Sequence, residues 1–260
     1  MREFDSRIGC GDLTLFAIES QTSDRDRKSL LLAQSLIRSY CGKHNYLEIG
    51  SHLGGTLLPY LKDPRCLQVH SVDPRPLIQP DERGRSYEYV ENSTSRMIEQ
   101  LQTHCTAREL EKLTTWNFDV SKIPSYSYGC RFDIALIDGE HTNQAAFRDF
   151  VYIVPALQRD ALIVFHDANI IIDAILNVET LLRSNGTDFT SFVMPDCVAI
   201  IALRGIIDLA KGVLGPSSLE RAAYLEYSRR EIAKQIASNA DAVARGEAPS
   251  LTQAPAAKQQ

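Results

Sequence analysis

The chain has no CxxC pair, and its six cysteines, Cys10, Cys41, Cys66, Cys105, Cys130 and Cys197, are scattered along its length. This spacing excludes a zinc ribbon and a dense disulfide framework, and predicts free thiols in a reducing compartment. No long run of lysine or arginine occurs, and the formal net charge is -5. A general phosphate-binding surface needs the opposite balance, so nucleic acid is not an expected partner. Nor is there an uncharged apolar stretch of about eighteen residues, the length a membrane span requires. The run at 170–176 is cut by Asp173, and that at 198–203 is too short. Residues 1–6 carry charges where a secretory peptide would carry its apolar segment. The expectation is a soluble, cytoplasmic protein. No internal repeat is present.

What the chain does have is 260 residues with 44% hydrophobic content, enough for one sizeable α/β domain. Thr22 and Ser23 precede a charged turn and then Leu30, Leu31, Ala33, Leu36 and Ile37 at helical spacing, which predicts a leading amphipathic helix. A strand at 46–49, a glycine-rich turn, a helix at 56–61 and a strand at 67–72 make a βαβ unit. Residues 74–86 hold three prolines and many charges without periodicity, and read as a loop. Further strands are expected at 114–120, 132–137 and 161–165, with a closing pair at 188–194 and 197–203. Helices are expected near 92–101, 106–113, 145–157, 173–183 and 219–245, and the residues beyond, 246–260, read as a disordered tail.

Two stretches carry most of the chemistry. Ile134, Ala135, Leu136 and Ile137 stop at Asp138-Gly139-Glu140-His141, and Leu162, Ile163, Val164 and Phe165 stop at His166-Asp167. Continuous apolar runs suit strands buried on both faces of a parallel sheet, whose ligands sit beyond the carboxyl ends. The two ends could therefore converge, and two aspartates with an imidazole could hold a divalent cation or move a proton.

Upstream, Glu48-x-Gly50-x-x-x-Gly54-Gly55 lies between a strand and a helix, and Asp73 ends the next strand. An acid there can accept both ribose hydroxyls of a nucleotide. The spacing is not the G-x-G-x-x-G of dinucleotide-binding turns, because His52 stands at the second glycine position. It resembles instead the first motif of class I S-adenosylmethionine-dependent methyltransferases. That resemblance implies Glu48 near the cofactor's amino-acid end, Gly50, Ser51, His52 and Gly54 around it, Asp73 on the ribose and Asp119 at the adenine edge, with Asn92 and Ser93 competing for the last role.

The stretch from Phe132 to His141, with Phe147-Arg148-Asp149 and Val164-Phe165-His166-Asp167, resembles the methyltransferase subgroup with IDG-x-H and FHD signatures, over about residues 44–204. One departure is Arg159-Asp160, where that family usually carries two glycines. The subgroup includes O-methyltransferases acting on sugars and natural products. Its relatives place magnesium on an aspartate after the fourth strand and two adjacent ligands after the fifth, which by position are Asp138, His166 and Asp167. Magnesium prefers oxygen, whereas an imidazole favours manganese, iron or zinc, so the ion's identity, and whether one binds, stays open. His141 falls where the catechol-type enzymes carry a lysine base and is the favoured catalytic residue, with Asp138 and His166 beside it.

The resemblance implies a Rossmann-like, seven-stranded, mostly parallel sheet with an antiparallel closing strand and helices on both faces. Residues 1–43 then form a helical lead-in, 44–204 the methyltransferase domain and 205–245 a helical extension, with a homo-oligomer left open. The implied reaction is methyl transfer from S-adenosylmethionine to a hydroxyl of a sugar or small natural product. An NAD-dependent oxidoreductase and a non-catalytic cofactor-binding partner protein are the competing readings.

Overall fold

The computed structural model describes residues 2–245 and 251–253. In chain order the elements are α1 (Arg2–Gly9), α2 (Asp24–Cys41), β1 (His44–Ile49), α3 (Leu58–Lys62), β2 (Cys66–Val72), β3 (Ile78–Asp81) and β4 (Arg85–Glu88). There follow α4 (Thr94–Gln102), α5 (Ala107–Leu110), β5 (Leu113–Trp116), β6 (Phe132–Ile137), α6 (Asn143–Ile153), β7 (Leu157–Phe165) and α7 (Ile172–Ser184). The described chain closes with β8 (Phe189–Val193), β9 (Ala199–Leu203), α8 (Ile207–Leu214), α9 (Arg221–Ala244) and β10 (Leu251–Gln253).

Seven strands form one sheet in the order β5-β2-β1-β6-β7-β9-β8. All neighbours are parallel except β7 with β9 and β9 with β8, so β9 alone runs against the others. This is the Rossmann-like, mostly parallel seven-stranded sheet expected from the sequence. Its two-residue side-chain period explains two hydrophobic layers. Ile134, Leu136, Leu162 and Val164 pack on one face with Leu36, Ile37 and Leu61. Ala135, Ile137, Ile163 and Phe165 pack on the other with Phe150, Ile153 and Val178. Both faces are thereby covered by helices, which is why the strands read as unbroken apolar runs.

The order reverses between β1 and β6, the kind of switch point where open α/β sheets bind ligands. Register does the rest. Ile49 lies opposite both Val72 and Ile137, and Ile137 lies opposite Phe165. The strands end level, and the next residues are tied across the ladder: Gly50 N–H donates to Val72 O at 2.9 Å, Asp138 N–H to Ile49 O at 2.9 Å, and His166 N–H to Ile137 O at 3.1 Å. Gly50, Asp73, Asp138 and His166 therefore stand side by side.

Three local expectations are corrected. Residues 74–86 are not a plain loop, because β3 and β4 pair as an antiparallel hairpin. Asp81 takes the Arg83 backbone N–H at 2.7 Å and Gly84, at φ +75°, closes the turn. The third strand stops at Trp116 and does not run to Asp119, which instead caps a 3-10 turn at Val120–Lys122. The helix after the glycine turn starts at Leu58 rather than Thr56. The tail at 246–260 lies outside the described residues except for β10, which pairs in parallel with β4. Among the described residues no helix is long and apolar enough to cross a membrane.

Candidate active site

A cleft of about 570 Å³, open mouth included, lies at the carboxyl ends of β1, β2, β6 and β7. Gly50, Ser51, His52 and Thr56 form one side, Asp73 and Asn92 a second, and Asp138, His141 and His166 a third. The glycine turn is dictated by close approach. A Cβ on Gly50, at φ +85°, would lie 2.0 Å from the Asp138 carbonyl oxygen, so only glycine lets β1 and β6 end this near each other. Gly55 faces a different neighbour, since a Cβ there would lie 2.8 Å from Ser20 Cβ.

Asp73 is 3% exposed and accepts the His52 N–H at 3.0 Å and the Arg75 N–H at 2.8 Å. Its carboxylate also pairs with the Arg75 guanidinium at 3.2 Å. Glu48 lies beneath the cleft floor, fully buried, and accepts hydrogen bonds from Tyr46 Oη at 2.5 Å and Thr56 Oγ1 at 2.7 Å. Burial raises its pKa to about 8, further helped by the carboxylates of Asp138 and Asp73, so it is a neutral acid near pH 7.

The acid and histidine residues meet closely. His166 Nδ1 lies 3.1 Å from Asp138 Oδ1 and 3.2 Å from Asp167 Oδ2, while His141 Nε2 lies 3.0 Å from that same Asp167 oxygen. Burial opposes a charge on His166, but Asp138 and then Asp167 outweigh it and hold its pKa well above the ordinary histidine value. Burial likewise opposes ionisation of Asp167, yet His141 and His166 lower its pKa. Ligand atoms from Asp138, His141 and Asp167 all lie within 4.8 Å of one another, so a divalent cation finds donors here.

A methyltransferase-domain family model matches residues 47–168, the span holding the glycine turn, Asp73 and both acid-ended strands. Residues 47–168 thus carry a methyltransferase domain, in line with the class I, S-adenosylmethionine-dependent resemblance of the sequence. The dinucleotide oxidoreductase reading is thereby set aside. Among solved structures, an O-methyltransferase from Bacillus cereus in complex with S-adenosylhomocysteine is 11% identical, with 77% of this chain and 90% of that chain covered and a TM-score of 0.50. An O-methyltransferase from Streptomyces achromogenes involved in tomaymycin synthesis, in complex with S-adenosylmethionine, is 14% identical over 78% of this chain and 90% of that chain, at a TM-score of 0.48. At such identities the likeness concerns the fold. Comparison with curated proteins returns no match.

In this methyltransferase the residues singled out by sequence divide into three groups. Gly50, Ser51, His52, Asp73, Asp138, His141 and His166 line the cleft together, and Asp167 stands against both imidazoles. Glu48 and Gly54 shape it from behind, Gly54 facing Met97 and Leu101. Asp119 is not a lining residue: it accepts the Ser121 N–H at 2.9 Å and pairs with Arg148 at 3.2 Å, and Asn92 occupies the wall instead.

Sequence reading missed Gln79 and Tyr89, which the hairpin brings over the cleft, and residues 19–22, which form its outer wall. It also missed how His141 is held. Glu82 of the hairpin donates its N–H to His141 O at 2.9 Å and accepts the Asn143 N–H at 2.8 Å, fixing the loop on both sides of that histidine. The Asp81–Gly84 turn was the available signal, masked by the prolines around it.

Proposed function

We propose that this enzyme moves the methyl group of S-adenosylmethionine to a hydroxyl oxygen of a sugar or other small natural product, with His141 as the general base. The observation that carries the reading is His141 Nε2 at 3.0 Å from Asp167 Oδ2, on the rim of the cleft that Gly50, Asp73 and Asp138 also line. A proton held on Nε2 by a carboxylate makes Nδ1 the basic nitrogen, the arrangement by which an acid orients a catalytic imidazole.

Displacement at a sulfonium methyl carbon is in line, so the protein must chiefly align the acceptor and remove its proton. Asp73 would accept the ribose hydroxyls, and the Gly50 turn gives the nucleoside access to backbone without a side chain between. Asp138 and Asp167 would hold a divalent cation, and His166, expected as their third partner, lies against both as a shared hydrogen-bond donor. Bound there, such an ion would orient the acceptor hydroxyl and lower its pKa. His141 then accepts the released proton. We read residues 44–204 as the catalytic unit, with the lead-in contributing one wall through residues 19–22 and 205–245 as an added helical layer.

The test is mass-spectrometric detection of methylated products from S-adenosylmethionine and a panel of hydroxylated sugars and phenols, with and without EDTA. O-methylated product, lost in His141→Gln, supports the reading. Methylation confined to nitrogen or sulfur acceptors would refute it.

A further inference from the structure

Behind the cleft, on the far side of the His166 ring, lies a second group of ligating atoms that the methyl-transfer reading leaves unused. His166 Nε2 is 3.5 Å from Cys197 Sγ and 3.6 Å from Asp26 Oδ2, and Cys197 Sγ is 3.4 Å from Asp26 Oδ1. Asp26 comes from the first turn of α2, His166 from the end of β7 and Cys197 from the turn before β9, so three distant parts of the chain converge. Asp26 is 2% exposed and His166 4%.

We propose that Asp26, His166 and Cys197 form a site for one soft divalent cation of the zinc type, separate from any ion on Asp138 and Asp167. Zinc bonds of about 2.0–2.3 Å in a tetrahedron put neighbouring ligand atoms roughly 3.3–3.8 Å apart. His166 Nε2 and Cys197 Sγ stand at such a separation, Asp26 offers Oδ2 to the imidazole and Oδ1 to the sulfur, and one ligand atom from each residue lies within 4.8 Å of the others. Thiolate, imidazole and carboxylate are the donors zinc and cobalt take, whereas magnesium and calcium prefer oxygen alone.

An independent observation comes from the other ring nitrogen. A zinc-ligating histidine almost always donates its second N–H to a carboxylate, which fixes the tautomer and aims the lone pair at the metal. His166 Nδ1 faces Asp138 Oδ1 at 3.1 Å and Asp167 Oδ2 at 3.2 Å, so Nε2 is the nitrogen turned toward Cys197 and Asp26, where a metal would displace its proton. Asp26 is fixed as well. Its Oδ2 accepts the Ser23 N–H at 3.0 Å and its Oδ1 the Cys197 N–H at 3.1 Å. Binding releases two protons to solvent, the thiol proton as the sulfur–metal bond forms and the His166 Nε2 proton as the nitrogen–metal bond forms. The ion would clamp the start of α2, and with it the cleft wall at 19–22, onto the sheet.

Cobalt(II) is the probe, because a cobalt–thiolate bond absorbs in the near ultraviolet and a magnesium or oxygen-only site does not. The full-length protein, stripped with chelator and titrated with cobalt(II), should develop that absorption at one equivalent, keep it in excess magnesium and lose it to zinc. Cys197→Ser should abolish the band, Asp26→Asn should weaken cobalt binding tenfold or more, and Cys105→Ser should change nothing. Folded wild-type protein without the band, or a band that survives Cys197→Ser, overturns the proposal. The wild-type titration decides even if a variant does not fold, and methyl-transfer activity plays no part in the readout.

Discussion

His141 is the residue on which the chemistry turns. Replacing it with glutamine removes a base while keeping a hydrogen-bond donor for Asp167, so kcat should fall by about 10²–10⁴. Affinity for S-adenosylhomocysteine should stay within roughly threefold, which calorimetry beside steady-state kinetics would check. Gly50 makes a geometric demand instead. Gly50→Ala sets a Cβ 2.0 Å from the Asp138 carbonyl oxygen at φ +85°, and should cost at least about 2–3 kcal/mol in urea denaturation while opening the cleft. Glu48 makes an electrostatic one. Its folded pKa, raised to about 8, exceeds the ordinary value of 4.5, so the folded state keeps a proton that the unfolded chain releases in between. The stability it contributes is complete below about pH 4.5 and is lost as pH rises through about 8. Melting temperatures of Glu48→Gln against wild type should show this slope flattened.

Among the elements, the sheet was legible because both faces of β6 and β7 are covered, which leaves unbroken β-branched runs ending abruptly in polar residues. Helix α2 was legible through its cap at Thr22-Ser23 and its helical apolar spacing, and the structure completes Ser23 into a capping box with Asp26, whose N–H donates to Ser23 Oγ at 3.1 Å. The hairpin of β3 and β4 was not, because neither strand has a buried face to impose alternation: Ile78 is half exposed, and β4 is only partly buried throughout. Its order comes from side chains distant in sequence, including Asn239 of α9, which donates to Arg83 O at 2.7 Å. Helix α6 carries its own test. Thr142 accepts the Ala145 N–H at 3.2 Å, one residue past the proposed base, so Thr142→Ala should lower stability by about 1 kcal/mol in urea titration.

For the whole molecule, the motifs implied that strand ends could converge, since each polar terminus follows an apolar run, and the register of the sheet makes those ends level. They could not foretell which imidazole faces which carboxylate. His141 and His166 differ in sequence only by spacing, yet one sits on the cleft rim and the other is buried between three carboxylates. Asp119 failed to reach the cleft because its strand ends early and Arg148 holds it on the surface. The most direct test of a common cofactor cleft is calorimetric titration of S-adenosylhomocysteine into wild type, Asp73→Asn and Asp119→Asn. The account predicts one site per chain, weakened between tenfold and about a hundredfold by Asp73→Asn and unchanged within about twofold by Asp119→Asn. Equal affinity for wild type and Asp73→Asn, or a loss confined to Asp119→Asn, would contradict it.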